Sequence, residues 1–199
     1  MRAVAFVDAA NLFYGGEKSL GWKIDFLKLL GYLREKYGVG PVRYFASVDL
    51  VGFSHDPTKE DTVSLAALET FLANRSGNPN AARSLGQVRF YRKLESFGYD
   101  LHLKPLKRYP RPDGGYDTKG NCDVDMALSM VEELPSLDRA VVLSGDGDFL
   151  PVLKRLREAG KEVVVLARHQ RTAREIRVFA GAKFSDFEYL RELLRQPKK

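Results

Sequence analysis

Five aspartates stand where the hydrophobic pattern of this chain breaks off. Asp8 follows the apolar run Ala3 to Val7, Asp123 and Asp125 open "CDVDMALSMVEEL", and Asp146 and Asp148 flank Gly147 in "LSGDGDFLPVL". An isolated ionised carboxylate is costly to bury, so acids at such points are solvated, paired or holding a cation. Like charges drawn close raise one another's pKa and repel, and a group of them makes sense mainly around a hard cation. Oxygen-only ligands suit Mg2+ or Mn2+ better than zinc, and such an ion keeps waters that phosphate oxygens can replace.

Each acid also has a plainer reading. Asp123 is a good helix N-cap. Asp125 lies roughly 200° further round a helix, so the two cannot face one point, and Asp123 is preferred as the ligand with Asp125 as second choice. Asp146 and Asp148 describe a solvated tight turn as well, with Gly147 supplying the backbone angles. Asn11, one helical turn past Asp8, either orients a ligand water or a phosphate through its amide or caps a helix start. Ser144 either hydrogen-bonds an acid or simply ends a strand.

The elements that must position these acids follow from periodicity. "AVAFV", "PVRYFASV", "YDLHLKPL", "RAVVLSG" and "KEVVVLA" read as strands. Ile24, Leu27, Leu30, Leu33 and Tyr37 recur at helical spacing up to Gly38, and Leu65, Leu68, Phe71 and Leu72 mark a second helix. The pattern is lost near "RSGNPNAARSLG", which predicts a loop or a helix break. "CDVDMALSMVEEL" and "DFLPVLKRLREAG" are further helices, the latter closed by its glycine. Residues 107–121, "KRYPRPDGGYDTKGN", are dense in Pro, Gly and cations and predict a mobile surface loop. Strands alternating with helices imply a parallel sheet with helices on both faces. Sites in such sheets gather outside the carboxyl ends of the strands, which is where Asp8, Asp146 and Asp148 fall.

With 199 residues, 44% of them hydrophobic, the chain suffices for one well-filled core. No apolar run approaches the roughly 18 residues of a membrane span, and Asp8 interrupts what would be a leader's apolar region, so a cytoplasmic location is expected. The single Cys122 excludes a disulfide framework and a thiolate zinc site. The net charge of +6 favours polyanions as partners, although a moderately basic chain is also simply soluble. There is no G-x-x-x-x-G-K-[ST] phosphate cradle, no G-x-G-x-x-G turn and no G-x-S-x-G elbow. His55, His102 and His169 show no metal-ligand spacing.

"FVDAANLF", "KGNCDVDMALSM" and "LSGDGDFLPVLKRLREAGKEVVVL" resemble, in order and spacing, the three signature segments of NYN domains, relatives of the PIN-like nucleases. The resemblance runs from Arg2 to about Phe187 and places residues 1–199 in a single domain of that kind, with the basic loop near 107–121. It implies a PIN-like three-layer α/β/α sandwich with a central mainly parallel sheet and an acidic metal site that hydrolyses RNA. By the same resemblance Asp8, Asp123, Asp146 and Asp148 are the acidic residues, with Asn11 beside the first. Ser129 departs from the pattern, because many relatives carry an aspartate there, and the change is expected to weaken a second metal position. A glycine of "SGDGDF" is often serine in relatives, a change expected to be minor.

The resulting expectation is metal-assisted hydrolysis of RNA phosphodiesters with Mg2+ or Mn2+. Lys104, Lys107, Arg108, Arg111 and Lys119 would hold the substrate backbone, with Tyr109 and Tyr116 stacking on bases. The run "ARHQRTAREIR" would clamp the backbone or be an exposed helix face. The partner is RNA, with no membrane and no nucleotide cofactor, and a homodimer is compatible with this reading. The rival is an RNA-binding or regulatory module without turnover. A transferase or phosphatase using the D-x-D pair ranks last.

Overall fold

The computed structural model describes residues 1–60, 62–75, 77–112 and 116–197. Its chain order is β1 (Ala3–Asp8), α1 (Ala9–Asn11), a π-helical turn (Leu12–Glu17), α2 (Lys18–Leu20), α3 (Phe26–Tyr37) and β2 (Val39–Val48). Then come α4 (Leu65–Ala73), α5 (Pro79–Phe97), β3 (Asp100–Pro105), β4 (Lys107–Pro110) and β5 (Tyr116–Lys119). The last third holds α6 (Asp123–Glu133), β6 (Arg139–Leu143), α7 (Leu150–Glu158), β7 (Glu162–Ala167), α8 (Arg174–Ala180), β8 (Phe184–Asp186) and α9 (Arg191–Leu194). Six strands form one sheet in the order β3-β2-β1-β6-β7-β8, and β1/β2, β1/β6, β6/β7 and β7/β8 all pair parallel. This is the mainly parallel sheet of an α/β/α sandwich, the PIN-like arrangement the sequence implied.

The chain divides into two compact units, residues 1–45 with 123–199, and residues 46–122. In the first, Val4, Phe6, Val141, Val142 and Val165 are buried, as near-continuous apolar strands of a parallel sheet require. The chain winds outward in both directions from β1, which sits between β2 and β6. Helix α3 starts where Asp25 Oδ1 accepts from the Leu27 and Lys28 N–H groups, at 3.0 and 3.2 Å, and stops at Gly38 with φ 68°.

The second unit departs twice from the sequence reading. The break expected near "RSGNPNAARSLG" lies between Ala73, the end of α4, and Pro79, but the rest of that segment already belongs to α5, a helix of 19 residues capped by Asn78 with Pro79 in its first turn. Its buried stripe includes Ala81 and Ser84, residues too small or polar to register in an apolar count. Tyr91 Oη and Gln87 Nε2 on that helix donate to the Ser47 carbonyl at 3.0 and 3.2 Å. Residues 107–121, expected as a loop, instead contain the antiparallel β4–β5 hairpin, with Lys107 opposite Lys119 and Tyr109 opposite Asp117. Both strands are short and exposed throughout, so no buried face imposed the alternation by which strands are recognised. Residues 113–115 of this segment lie outside the described residues. The hairpin's return passes its own unit so closely that a Cβ on Gly120 would lie 2.5 Å from Ser47 Cβ.

Candidate metal centre

Asp8 is the last residue of β1, and the parallel register that sets Val7 opposite Leu143 sets Asp8 beside Ser144 at the carboxyl end of β6. Ser144 Oγ donates to Asp8 Oδ2 at 2.9 Å, and the Asn11 N–H donates to Asp8 Oδ1 at 3.0 Å. Asn11 Oδ1 in turn accepts the Gly145 N–H at 3.0 Å, so the turn after β1 and the turn after β6 are tied together. Ser144 Oγ also accepts the Asp146 N–H at 3.2 Å, and Asp146 Oδ1 accepts the Asp148 N–H at 3.0 Å. Ser144 thus hydrogen-bonds an acid, one of the two readings its position allowed, and Asn11 ties the two turns together.

Among the described residues, Asp123, Asp146 and Asp148 form a group whose carboxylate oxygens lie within 4.8 Å of one another. Asp123 arrives from the first turn of α6, while Asp146 and Asp148 bracket the 3-10 turn Gly147–Phe149. Asp123, Asp146 and Asp148, one oxygen from each, would be the residues to hold a hard divalent cation. Asp8 stands within electrostatic reach. Burial pushes its carboxyl above the ordinary range, the hydrogen bonds from Asn11 and Ser144 oppose that rise, and Asp123 and Asp146 add to it. Asp125, the second choice, is exposed on α6 and is outside the three-acid group.

The wall behind the turn has no signal in the sequence. The Ala173 N–H donates to the Gly145 carbonyl at 2.9 Å, and a Cβ on Gly145 would sit 2.6 Å from Thr172 Oγ1 and 2.9 Å from Thr172 Cα. A Cβ on Gly147 would sit 2.5 Å from Glu175 Oε1. Gly145 is therefore dictated by the segment after β7, and a larger residue there is not a minor change, whereas at Gly147 the nearest atom is the movable end of Glu175. That same segment begins with Arg168, which is buried and paired with Asp186, at 3.0 Å, and with Glu188. The run "ARHQRTAREIR" thus spends its first arginine inside the fold, which removes Arg168 from any backbone clamp.

Ser129 also differs from expectation. It is 5% exposed, and Arg43 Nη1 donates to its Oγ at 2.5 Å while the same guanidinium pairs with Glu133. A carboxylate at this position would meet a cationic side chain already in place, and Ser129 is here a member of an internal network with Arg43 and Glu133.

In the second unit, Lys107, Arg108, Arg111 and Lys119 are exposed and Lys104 is partly buried. Arg108 pairs with Asp49 and Arg111 with Asp117, the latter at 3.7 Å. Lys107 and Lys119 face each other across the hairpin. Tyr109 and Tyr116 are both exposed.

The signature of the NYN domain matches residues 2–188. The chain belongs to the NYN domain family. Over its full length it is 24% identical to the Low amplitude and bright protein LabA of Synechococcus elongatus, covering 90% of that protein. An uncharacterized protein of Methanocaldococcus jannaschii is 29% identical over 93 residues, 43% of this chain and 39% of that one. A crystal structure of a protein of unknown function from Vibrio parahaemolyticus superposes with a TM-score of 0.59 at 21% identity, covering 93% of this chain and 90% of the other. The NYN domain carries a PIN-like nuclease fold, and the acidic group at the strand ends is one that could hold a metal ion. No helix among the described residues is long and apolar enough to cross a membrane.

Proposed function

We propose that this NYN domain is a metal-dependent ribonuclease that hydrolyses RNA phosphodiester bonds at the carboxyl rim of its parallel sheet. The observation that carries the reading is the convergence of Asp123, Asp146 and Asp148 from two separate elements to within 4.8 Å, with half-buried Asp8 in electrostatic contact. Hydrogen bonds fix Asp8 and the Asp146–Asp148 turn before any ligand arrives. Repulsion between the carboxylates is a standing cost that a cation removes. The donor set is all oxygen, which fits Mg2+ or Mn2+.

Asp123, Asp146 and Asp148 would hold the ion, with Asp8 completing the negative rim and Asp125 a more distant reserve. When bound, such a cation supplies charge to offset the phosphate oxygens and makes water a competent nucleophile near neutral pH. Ser144 keeps Asp8 oriented, and Asn11 keeps the Gly145–Asp148 turn in register with β1, so a phosphate entering the rim meets a fixed set of acids. Lys104, Lys107, Arg108, Arg111 and Lys119 are assigned to the RNA backbone, and Tyr109 and Tyr116 to its bases. Lys107 and Lys119 support this assignment, because like charges directly opposed on a two-stranded ribbon are destabilising until an anion lies between them.

Labelled RNA incubated with the full chain and Mn2+, then with excess EDTA, tests the reading. Cleavage that chelation abolishes is the expected result. Binding without cleavage under every divalent metal would overturn it in favour of an RNA-binding module.

A further inference from the structure

The segment that leaves Asp8 carries a second feature that the acid site does not use. Residues Leu12–Glu17 are wound as a π-helix, a local form that recurs at functional sites. Leu12 is buried and anchors that turn, whereas Phe13 is 45% exposed and Tyr14 62% exposed. Their rings meet edge to face, with centroids 5.1 Å apart and planes at 79°. Lys18 Nζ lies 5.3 Å from the Phe13 ring centroid and 4.8 Å from that of Tyr14. Two aromatic rings fixed against each other and topped by a cation leave an apolar surface edged by positive charge.

We propose that Phe13, Tyr14 and Lys18 form a stacking site for an unpaired base of single-stranded RNA. The proposal rests on the nuclease reading and deepens it by naming the form of RNA that the rim takes. Base against aromatic ring is the general device for holding single strands without regard to sequence, and Lys18 supplies the charge for an adjoining phosphate. Position supports it. Tyr14 is six residues past Asp8, about 9 Å of helical rise, which is within roughly three nucleotides of stacked strand. A base on Tyr14 would therefore hold the strand close to the acids, in the same compact unit. A protein partner is disfavoured by size, since two rings fall far short of the roughly 800 Å² per side of a standard interface. A duplex is disfavoured by chemistry, because its bases are already stacked and paired.

The experiment is equilibrium binding of a fluorescent oligouridylate to the full chain in EDTA, so that no cleavage contributes. The same backbone with abasic sugars and a blunt RNA duplex serve as comparisons. Tyr14→Ala and Phe13→Ala should each weaken binding of the oligouridylate by about 5- to 150-fold, the range of one lost base stack. Tyr14→Phe should bind as wild type does, and neither alanine variant should alter binding of the abasic strand. Melting curves of the variants report whether the fold is kept, and Tyr14→Phe with Lys18→Ala keeps the question open to test if an alanine variant is unfolded. Equal affinity in Tyr14→Ala, an equal loss on the abasic strand, no wild-type binding, or self-association that Tyr14→Ala abolishes would each overturn the proposal. Cleavage that persists with Tyr14-independent binding sinks this site and spares the nuclease. Tyr14-dependent binding without metal-dependent cleavage does the reverse.

Discussion

The acid rim and the basic hairpin are built on opposite physical terms. At the rim, Asp8 and the turn that carries Asp146 and Asp148 are placed by buried backbone: β1 and β6 are locked in parallel register, Ser144 and Asn11 bridge their ends, and Thr172 closes over Gly145. In the hairpin, two exposed four-residue strands carry opposed lysines, and arginines lean on Asp49 and Asp117 at the surface. An isolated two-stranded ribbon is marginal in water, and exposed ion pairs contribute little. The rim is therefore fixed by buried contacts and the hairpin is not, which under the proposed function suits catalysis at the first and a grip on a polyanion at the second. Substitutions in the two regions should fail in different ways: rim changes in turnover or folding, hairpin changes in affinity and salt dependence.

The largest effect is expected from Asp146→Asn. Its amide oxygen can still accept the Asp148 N–H, so the turn survives while one ligand charge is lost. Cleavage should fall by at least about a hundredfold, since metal-derived stabilisation is worth several kcal/mol. The melting temperature of metal-free protein should hold or rise as repulsion with Asp8 and Asp123 is relieved. Wild-type turnover in this variant at saturating Mn2+ would show that the rim is not where hydrolysis occurs.

Next in size is Gly145→Ala, which tests whether the rim's rigidity is real. The new methyl would lie 2.6 Å from Thr172 Oγ1 and 2.9 Å from Thr172 Cα, and the latter is backbone that cannot rotate away. Overpacking of this kind costs about 1–3 kcal/mol, read as a lower urea midpoint, with reduced turnover as the turn shifts. Gly147→Ala should cost less, because its nearest atom is the movable carboxylate end of Glu175. Equal midpoints for wild type and Gly145→Ala would mean that the wall at Thr172 yields.

The same contrast explains what is legible in the sequence. β1, β6 and β7 are apolar runs buried on both faces, and the acids that follow β1 and β6 stand out against them, so the fold and this part of the rim can be read from "AVAFVD" and "VVLSGD". The hairpin is hidden because its strands bury no face, and α5 because Ala81 and Ser84 carry part of its buried stripe. The Thr172 wall and the pairing of Arg168 with Asp186 and Glu188 depend on residues far apart in sequence that only the β6–β7–β8 order brings together. The network at Ser129 is hidden for the same reason: its neighbour Arg43 belongs to β2 and is invisible along α6.

A smaller effect is expected in the hairpin. Lys107→Glu would replace a repulsive cross-strand pair with an attractive one opposite Lys119, worth about 0.2–1 kcal/mol to the ribbon. It should nevertheless weaken RNA binding, and the dependence of log affinity on log salt should become shallower by about 0.7 for each single-strand phosphate that the protein no longer neutralises. Turnover at saturating RNA should stay close to wild type. An unchanged salt slope would return the hairpin to an ordinary solvated surface.

The smallest effect lies at the other end of the strands and should touch stability alone. Glu162 opens β7 in register with Arg139, which opens β6. Its carboxylate accepts from Arg139 Nε at 2.6 Å and Lys183 Nζ at 2.5 Å, and these bonds, Lys183 first, hold its pKa below the ordinary value. A carboxyl with a depressed folded pKa contributes stability that is fully present above its unfolded value, near 4.5, and is lost as pH falls through the folded value. Glu162→Gln should therefore lower stability by about 0.2–1 kcal/mol at neutral pH, and the difference from wild type should vanish in acid. Urea midpoints of both proteins at neutral pH and well below 4.5 measure it. A gap that persists unchanged in acid would assign the loss to packing rather than charge, and altered metal-dependent cleavage in this variant would break the separation between the two ends of the sheet.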